Sequence, residues 1–137
     1  MQQAIFYPVL AMVALAVLVW MQMYVVRIGT AVRERIPSES IRPTNRDLPL
    51  AIVTSGDNWR NLFEAPTLFY VLAIIVFVLE RVDEAYLIGC WLYVALRVLH
   101  SIVHVSYNKI MHRFIVYVVG CLVLWFMWAR LALQLLA

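Results

Sequence analysis

The sequence predicts an all-α protein, a transmembrane four-helix bundle. Two features of its composition lead there: 65% of the residues are hydrophobic and only 14% are charged. Soluble domains run at roughly 45–50% apolar and about 25% charged. A soluble chain of 137 residues has too much surface for its volume to hide this many large apolar side chains. The third observation is their grouping into four runs, each near the roughly 20 residues that cross a 30 Å hydrocarbon layer. Helices are expected for all four, because a helix satisfies its backbone polar groups within itself.

The runs are expected at about 4–26, 59–79, 85–106 and 113–136, in one domain covering 1–137. The first is interrupted only by Gln22, with Pro8 near its start, and follows Met1–Gln3 with no basic segment of the kind that opens a cleaved signal peptide. Glu80, Arg81, Asp83 and Glu84 form a short polar turn before the third run, which Tyr107, Asn108 and Lys109 close. The long connection from Arg27 to Asn58 is broken by Pro37, Pro43 and Pro49, and a short interfacial helix has room within it.

The net charge is +3, but the basic residues sit between the apolar runs rather than in a dense patch, so they speak of topology and not of nucleic acid. Arg27, Arg33, Arg35, Arg42, Arg46 and Arg60 flank the first connection, and Lys109 and Arg113 the third. The opposite side carries Arg81 and Arg130. The positive-inside rule therefore puts the first and third connections in the cytoplasm and both termini outside. Cys90 and Cys121 lie within apolar runs and are expected to pack.

Charged and polar groups inside apolar helices are costly and mark structure or function. Arg60, Asn61 and Glu64 stand at the start of the second run, with Asn61 and Glu64 three apart on one helix face. Arg97, His100 and His104 share a face of the third, and Arg113 and Tyr117 are four apart at the start of the fourth. Glu64 and Arg97 differ in depth by only about 6 Å at 1.5 Å per residue, so an ion pair between them is expected. Such clusters serve as a structural lock, as a cation-rich cavity for an anionic ligand, or as an ion path, and spacing alone leaves these open. His100 and His104 are only a pair, without HExxH spacing, so no metal site is expected. Glycine-rich phosphate loops, CxxC and GxSxG are absent.

Three stretches, "QMYVVRIGTAVRERI", "RNLFEAP" and "ALRVLHSIVHVSYNKIMHRFIVY", together resemble the MAPEG family, the membrane-associated proteins of eicosanoid and glutathione metabolism, in a bacterial-type, microsomal glutathione transferase-like form. The resemblance implies a homotrimer of four-helix subunits, with glutathione in a cleft between neighbours on the cytoplasmic side. It implies glutathione contacts from Arg33, Arg60, Asn61, Glu64, Arg97, His100 and His104, with Arg113 stabilising the thiolate and Tyr117 one turn later. The implied activity is transfer of the thiol to, or peroxidase action on, a hydrophobic small-molecule substrate that arrives through the membrane lipid, in a bacterial inner membrane. His104, Phe114 and Asp57 depart from the glutathione-binding pattern, as does Pro66, two residues after Glu64. A MAPEG-fold protein that binds a lipid or protein partner without catalysis is the alternative.

Overall fold

The structure is a computed structural model and describes residues 2–42, 45 and 47–136; Pro43 and Arg46 of the first connection lie outside the described residues. Among the described residues five α-helices follow one another: α1 (Phe6–Arg33), α2 (Leu50–Asn61), α3 (Ala65–Val78), α4 (Glu84–Val105) and α5 (Ile110–Leu136). Short 3₁₀ turns stand at Gln2–Ile5 and Ser38–Ser40. Among the described residues four segments are long and apolar enough to cross a membrane, with α2 and α3 together making the second, Leu50–Val78. The chain is thus an all-α, four-helix membrane-spanning bundle.

The first helix continues to Arg33 instead of ending near Val26. Its 28 residues span about 42 Å at 1.5 Å per residue, longer than the hydrocarbon layer. Arg27 and Arg33 therefore ride on helix, and the connection shrinks to the stretch before Leu50. The second run differs more. It begins as helix at Leu50 and breaks between Asn61 and Ala65. The cause is Pro66 in the first turn of α3, which has no N–H for the carbonyl of Leu62 and whose ring would strike that carbonyl in a continuous helix. The amides just after α2 fall back to three-residue bonds, Leu62 N–H to the Trp59 carbonyl at 3.1 Å and Phe63 N–H to that of Arg60 at 2.9 Å.

The core is continuous through all the spans. Phe69 of α3 stacks on Tyr93 of α4 with centroids 4.9 Å apart, and Met12, Leu72, Leu124 and Met127 are buried around them. Helix α4 packs against α5, where a Cβ on Gly89 would stand 2.6 Å from the Met127 sulfur. Small residues at such contacts let helix backbones approach in lipid, where no hydrophobic force drives them together. Outward-facing Leu10, Val25, Ile74, Ile88, Leu122 and Phe126 are each more than half exposed, as a lipid-facing surface requires.

The end opposite the arginine-rich connections is stapled by polar contacts. The Gln2 side chain donates to the Glu80 carbonyl at 2.8 Å and accepts from the Val82 N–H at 3.3 Å. Asp83 caps α4 by accepting from the Tyr86 N–H at 3.0 Å. It also receives Arg130 of α5 through both oxygens, at 2.5 and 3.3 Å, while the guanidinium lies 4.4 Å from the Tyr86 ring centroid. Partial burial raises the Asp83 carboxyl, but the Tyr86 N–H and Arg130 outweigh it and hold the group below the usual carboxylate range.

A carboxyl that titrates lower when folded adds stability that is complete above its unfolded value of about 3.9 and fades as pH falls through the folded one. Asp83→Ala is expected to cost about 1 kcal/mol, chiefly through the lost cap, since a half-exposed ion pair is screened. Asp83→Asn keeps the cap, so it should cost less and flatten the acid-side fall in thermal midpoint. An unaltered pH profile in Asp83→Asn would refute the pairing role.

Candidate functional site

The helix break leaves the Asn61 carbonyl without the amide a continuous α-helix would supply. Arg97 of α4 takes it, donating from Nη2 at 2.8 Å. Arg97 is only 2% exposed, and its guanidinium carbon lies 5.6 Å from the Tyr117 ring centroid. The expected Glu64–Arg97 ion pair does not form. The break turns Glu64 outward, where it is exposed, and the buried guanidinium takes the Asn61 carbonyl instead, with its Nε buried and unpartnered.

One turn further along α4, His100 is 2% exposed. Its Nδ1–H donates to the Arg113 carbonyl at 3.2 Å, so in the neutral ring Nε2 is an acceptor, and that buried atom has no partner within the chain. His104 points the other way round. Its Nε2 accepts from Arg113 Nη1 at 2.9 Å. The same Nη1 donates to Asn108 Oδ1 at 2.9 Å. Asn108 sits in the tight turn between α4 and α5 with φ 47°, its N–H closing on the Val103 carbonyl at 2.9 Å.

These contacts wall a cavity of about 260 Å³ between the α2–α3 break and the α4–α5 turn, lined by Asn61, Glu64, His100, Ile110, Arg113, Phe114 and Tyr117. Five of the singled-out residues, Asn61, Glu64, His100, Arg113 and Tyr117, therefore meet at one cavity. Arg97 lies behind it, and His104 holds Arg113 from the far side. Arg60 and Arg33 stand apart. Arg60 lines a separate cavity of about 340 Å³ with Arg27, Arg42 and Asp57, 4.0 Å from the Asp57 carboxylate. Arg33 is exposed at the end of α1. Asn108 was not singled out as a site residue. Its signal was a turn position that tolerates positive φ, four residues after His104 and five before Arg113, and only folding brings the three side chains together. Among the described residues no group of three or more His, Cys, Asp or Glu side chains is arranged to hold a metal ion. His112, at the helix start, is exposed and meets the Tyr107 hydroxyl at 3.1 Å.

The sequence pattern of the MAPEG family matches residues 5–133. The chain belongs to the MAPEG family. No curated protein and no solved structure showed a significant match. Family membership fits four apolar spans with a polar cluster at one end, and it leaves the ligand to be argued from the cavity itself.

A left-handed Asn pays about 1 kcal/mol less than Ala at the same φ. Asn108→Ala is expected to lower the thermal midpoint, while Asn108→Gly restores the backbone and removes only the Arg113 anchor. Equal midpoints for the two variants would exclude the backbone role.

Proposed function

We propose that this MAPEG protein is a glutathione-dependent membrane transferase or peroxidase acting on a hydrophobic electrophile. The observation that carries the reading is Arg113, braced by His104 and Asn108 at the wall of a cavity that also holds a carboxylate, an amide and an unpartnered imidazole nitrogen. Glutathione offers two carboxylates, an ammonium, amides and a thiol. The lining fits that set: Arg113 for negative charge, Glu64 for the ammonium, and the orphaned His100 Nε2 for an amide or thiol proton. When bound, glutathione supplies a thiol whose ordinary pKa is about 8.5, reactive as thiolate.

Each side chain then has a part. Arg113 places fixed positive charge at the cavity and favours the thiolate without moving to do so. His104 and Asn108 position it, and Arg97 holds the α2–α3 break open through the Asn61 carbonyl. Tyr117 offers a hydroxyl one turn beyond Arg113. The cavity falls just under the roughly 300–1,000 Å³ usual for ligand sites, as a part-site does. A homotrimer completes it, with the exposed Arg33 of a neighbouring subunit supplying a further cation. The arginine-rich end faces the cytoplasm by charge bias, in a bacterial inner membrane, and the electrophile enters from the bilayer. A non-catalytic, lipid- or partner-binding role is favoured by one observation: Phe114 places an apolar ring in the cavity.

Glutathione binding by calorimetry, with ultraviolet difference absorbance for the thiolate and oxidised glutathione as control, tests the reading. Arg113→Ala is expected to abolish the thiolate signal and lower turnover about 100-fold or more in an assembled protein. Binding without any thiolate signal in the wild type would favour the non-catalytic role. Glu64→Gln is expected to weaken glutathione about tenfold, the scale of one lost charge-assisted bond, at unchanged thermal midpoint because Glu64 is exposed. A large fall in midpoint with unchanged affinity would give Glu64 to the scaffold instead.

A further inference from the structure

A second polar cavity lies on the other side of His104. It measures about 300 Å³ and opens between α1, α2 and α4, with Gln22, Ser55, Asn58 and His104 in its wall and Leu50 and Val105 at its rim. Asn58 is 0% exposed, His104 3% and Ser55 4%. Both amide atoms of Asn58, Oε1 of Gln22 and Nδ1 of His104 are buried without a partner in the chain. Folded proteins match nearly all such atoms, so four at one cavity point to a ligand.

The chemistry of the wall narrows its class. No lining side chain carries a full charge when His104 is neutral. Arg113 donates to His104 Nε2, so the neutral ring carries its proton on Nδ1 and presents a donor here. Gln22 Oε1 is an acceptor. The Asn58 amide presents both kinds, whichever way it is turned. The Ser55 hydroxyl donates to the Ile52 carbonyl at 3.0 Å and keeps its oxygen for accepting. A buried ion would find no countercharge in this wall. Hydroxyl groups, each donor and acceptor at once, match it. Beside Thr54 and Ser106 at the opening, two apolar side chains stand at the rim, Leu50 at 74% and Val105 at 50% exposed, so an acyl chain can leave over them.

We propose that this cavity is a second binding site, for the neutral, hydroxyl-bearing head group of a lipid-like molecule, and that it is coupled to the first cavity through the His104 ring. An occupant that accepts from Nδ1 strengthens Nε2 as the acceptor of Arg113, since hydrogen bonds in series polarise one another. The site does not depend on glutathione, and its test leaves glutathione out.

The full chain, delipidated in an amine-oxide detergent without hydroxyl groups, is titrated with a monoacylglycerol, with free glycerol, and with the phosphate-headed analogue of the same acyl chain. Thermal midpoint and the ¹⁵N signals of the His104 ring are followed. Saturable stabilisation by the monoacylglycerol that shifts both ring nitrogens is expected, with affinity at least tenfold lower for the phosphate head and for Asn58→Leu. Gln22→Leu serves in the same way should Asn58→Leu not fold. Free glycerol matching the monoacylglycerol in affinity would still support a hydroxyl site, with a free polyol as its source. Equal affinity for glycerol and phosphate heads, equal affinity of wild type and both variants, or no saturable response to either glycerol probe would overturn the proposal.

Discussion

The Asn61 carbonyl and the Arg97 guanidinium, 2.8 Å apart, are the contact on which the arrangement of the polar end depends. A buried guanidinium in a membrane bundle is affordable only with partners, and a backbone carbonyl inside a helix already has one. Pro66 resolves both problems by breaking the second span, so that the carbonyl is released at the level where Arg97 arrives. The break then turns Glu64 away from Arg97 and into the cavity wall. A continuous helix over the same residues would close the carbonyl, strand the guanidinium and remove one side of the cavity.

From that contact the polar groups are organised in series rather than as one cluster. Arg97 lies under Tyr117, His100 holds the Arg113 backbone, and His104 and Asn108 hold its side chain. The two histidines, four residues apart on α4, do opposite things with their rings. His100 gives Nδ1 to the chain and leaves Nε2 for the first cavity, whereas His104 gives Nε2 to Arg113 and leaves Nδ1 for the second. A single helix face thus serves two cavities, with Arg113 and His104 between them. At the far end of the bundle Asp83, Arg130, Tyr86 and Gln134 satisfy one another, which is what a structural staple looks like beside a site.

Much of this was legible beforehand. Hydropathy gave four spans, because length and apolarity alone decide whether a segment crosses a bilayer. Helical spacing also brought Asn61, Glu64, His100, Arg113 and Tyr117 into one neighbourhood, since the turn between α4 and α5 is short and the starts of the second and fourth spans lie at one end. The departures have local causes. Charge made Arg27 and Arg33 read as connection, yet helix propensity and exposure carry α1 past the hydrocarbon layer. Pro66 was visible, but a proline in a first turn is tolerated, and only the release of the Leu62 carbonyl turned a long helix into two.

The sequence by itself determined the class of the protein, its membrane residence, its family and the set of polar residues at one end, because each follows from composition, run length or an ordered motif. Tertiary structure decided the partners. Opposite charge favoured Glu64 for Arg97, whereas the helix break supplied a carbonyl. Proximity in sequence said nothing of Asn108 bracing Arg113, or of Gln22 and Asn58 facing His104 across another cavity. Such pairings depend on the rotation and depth of each helix relative to its neighbours, and those are set by packing among buried side chains rather than by any one segment.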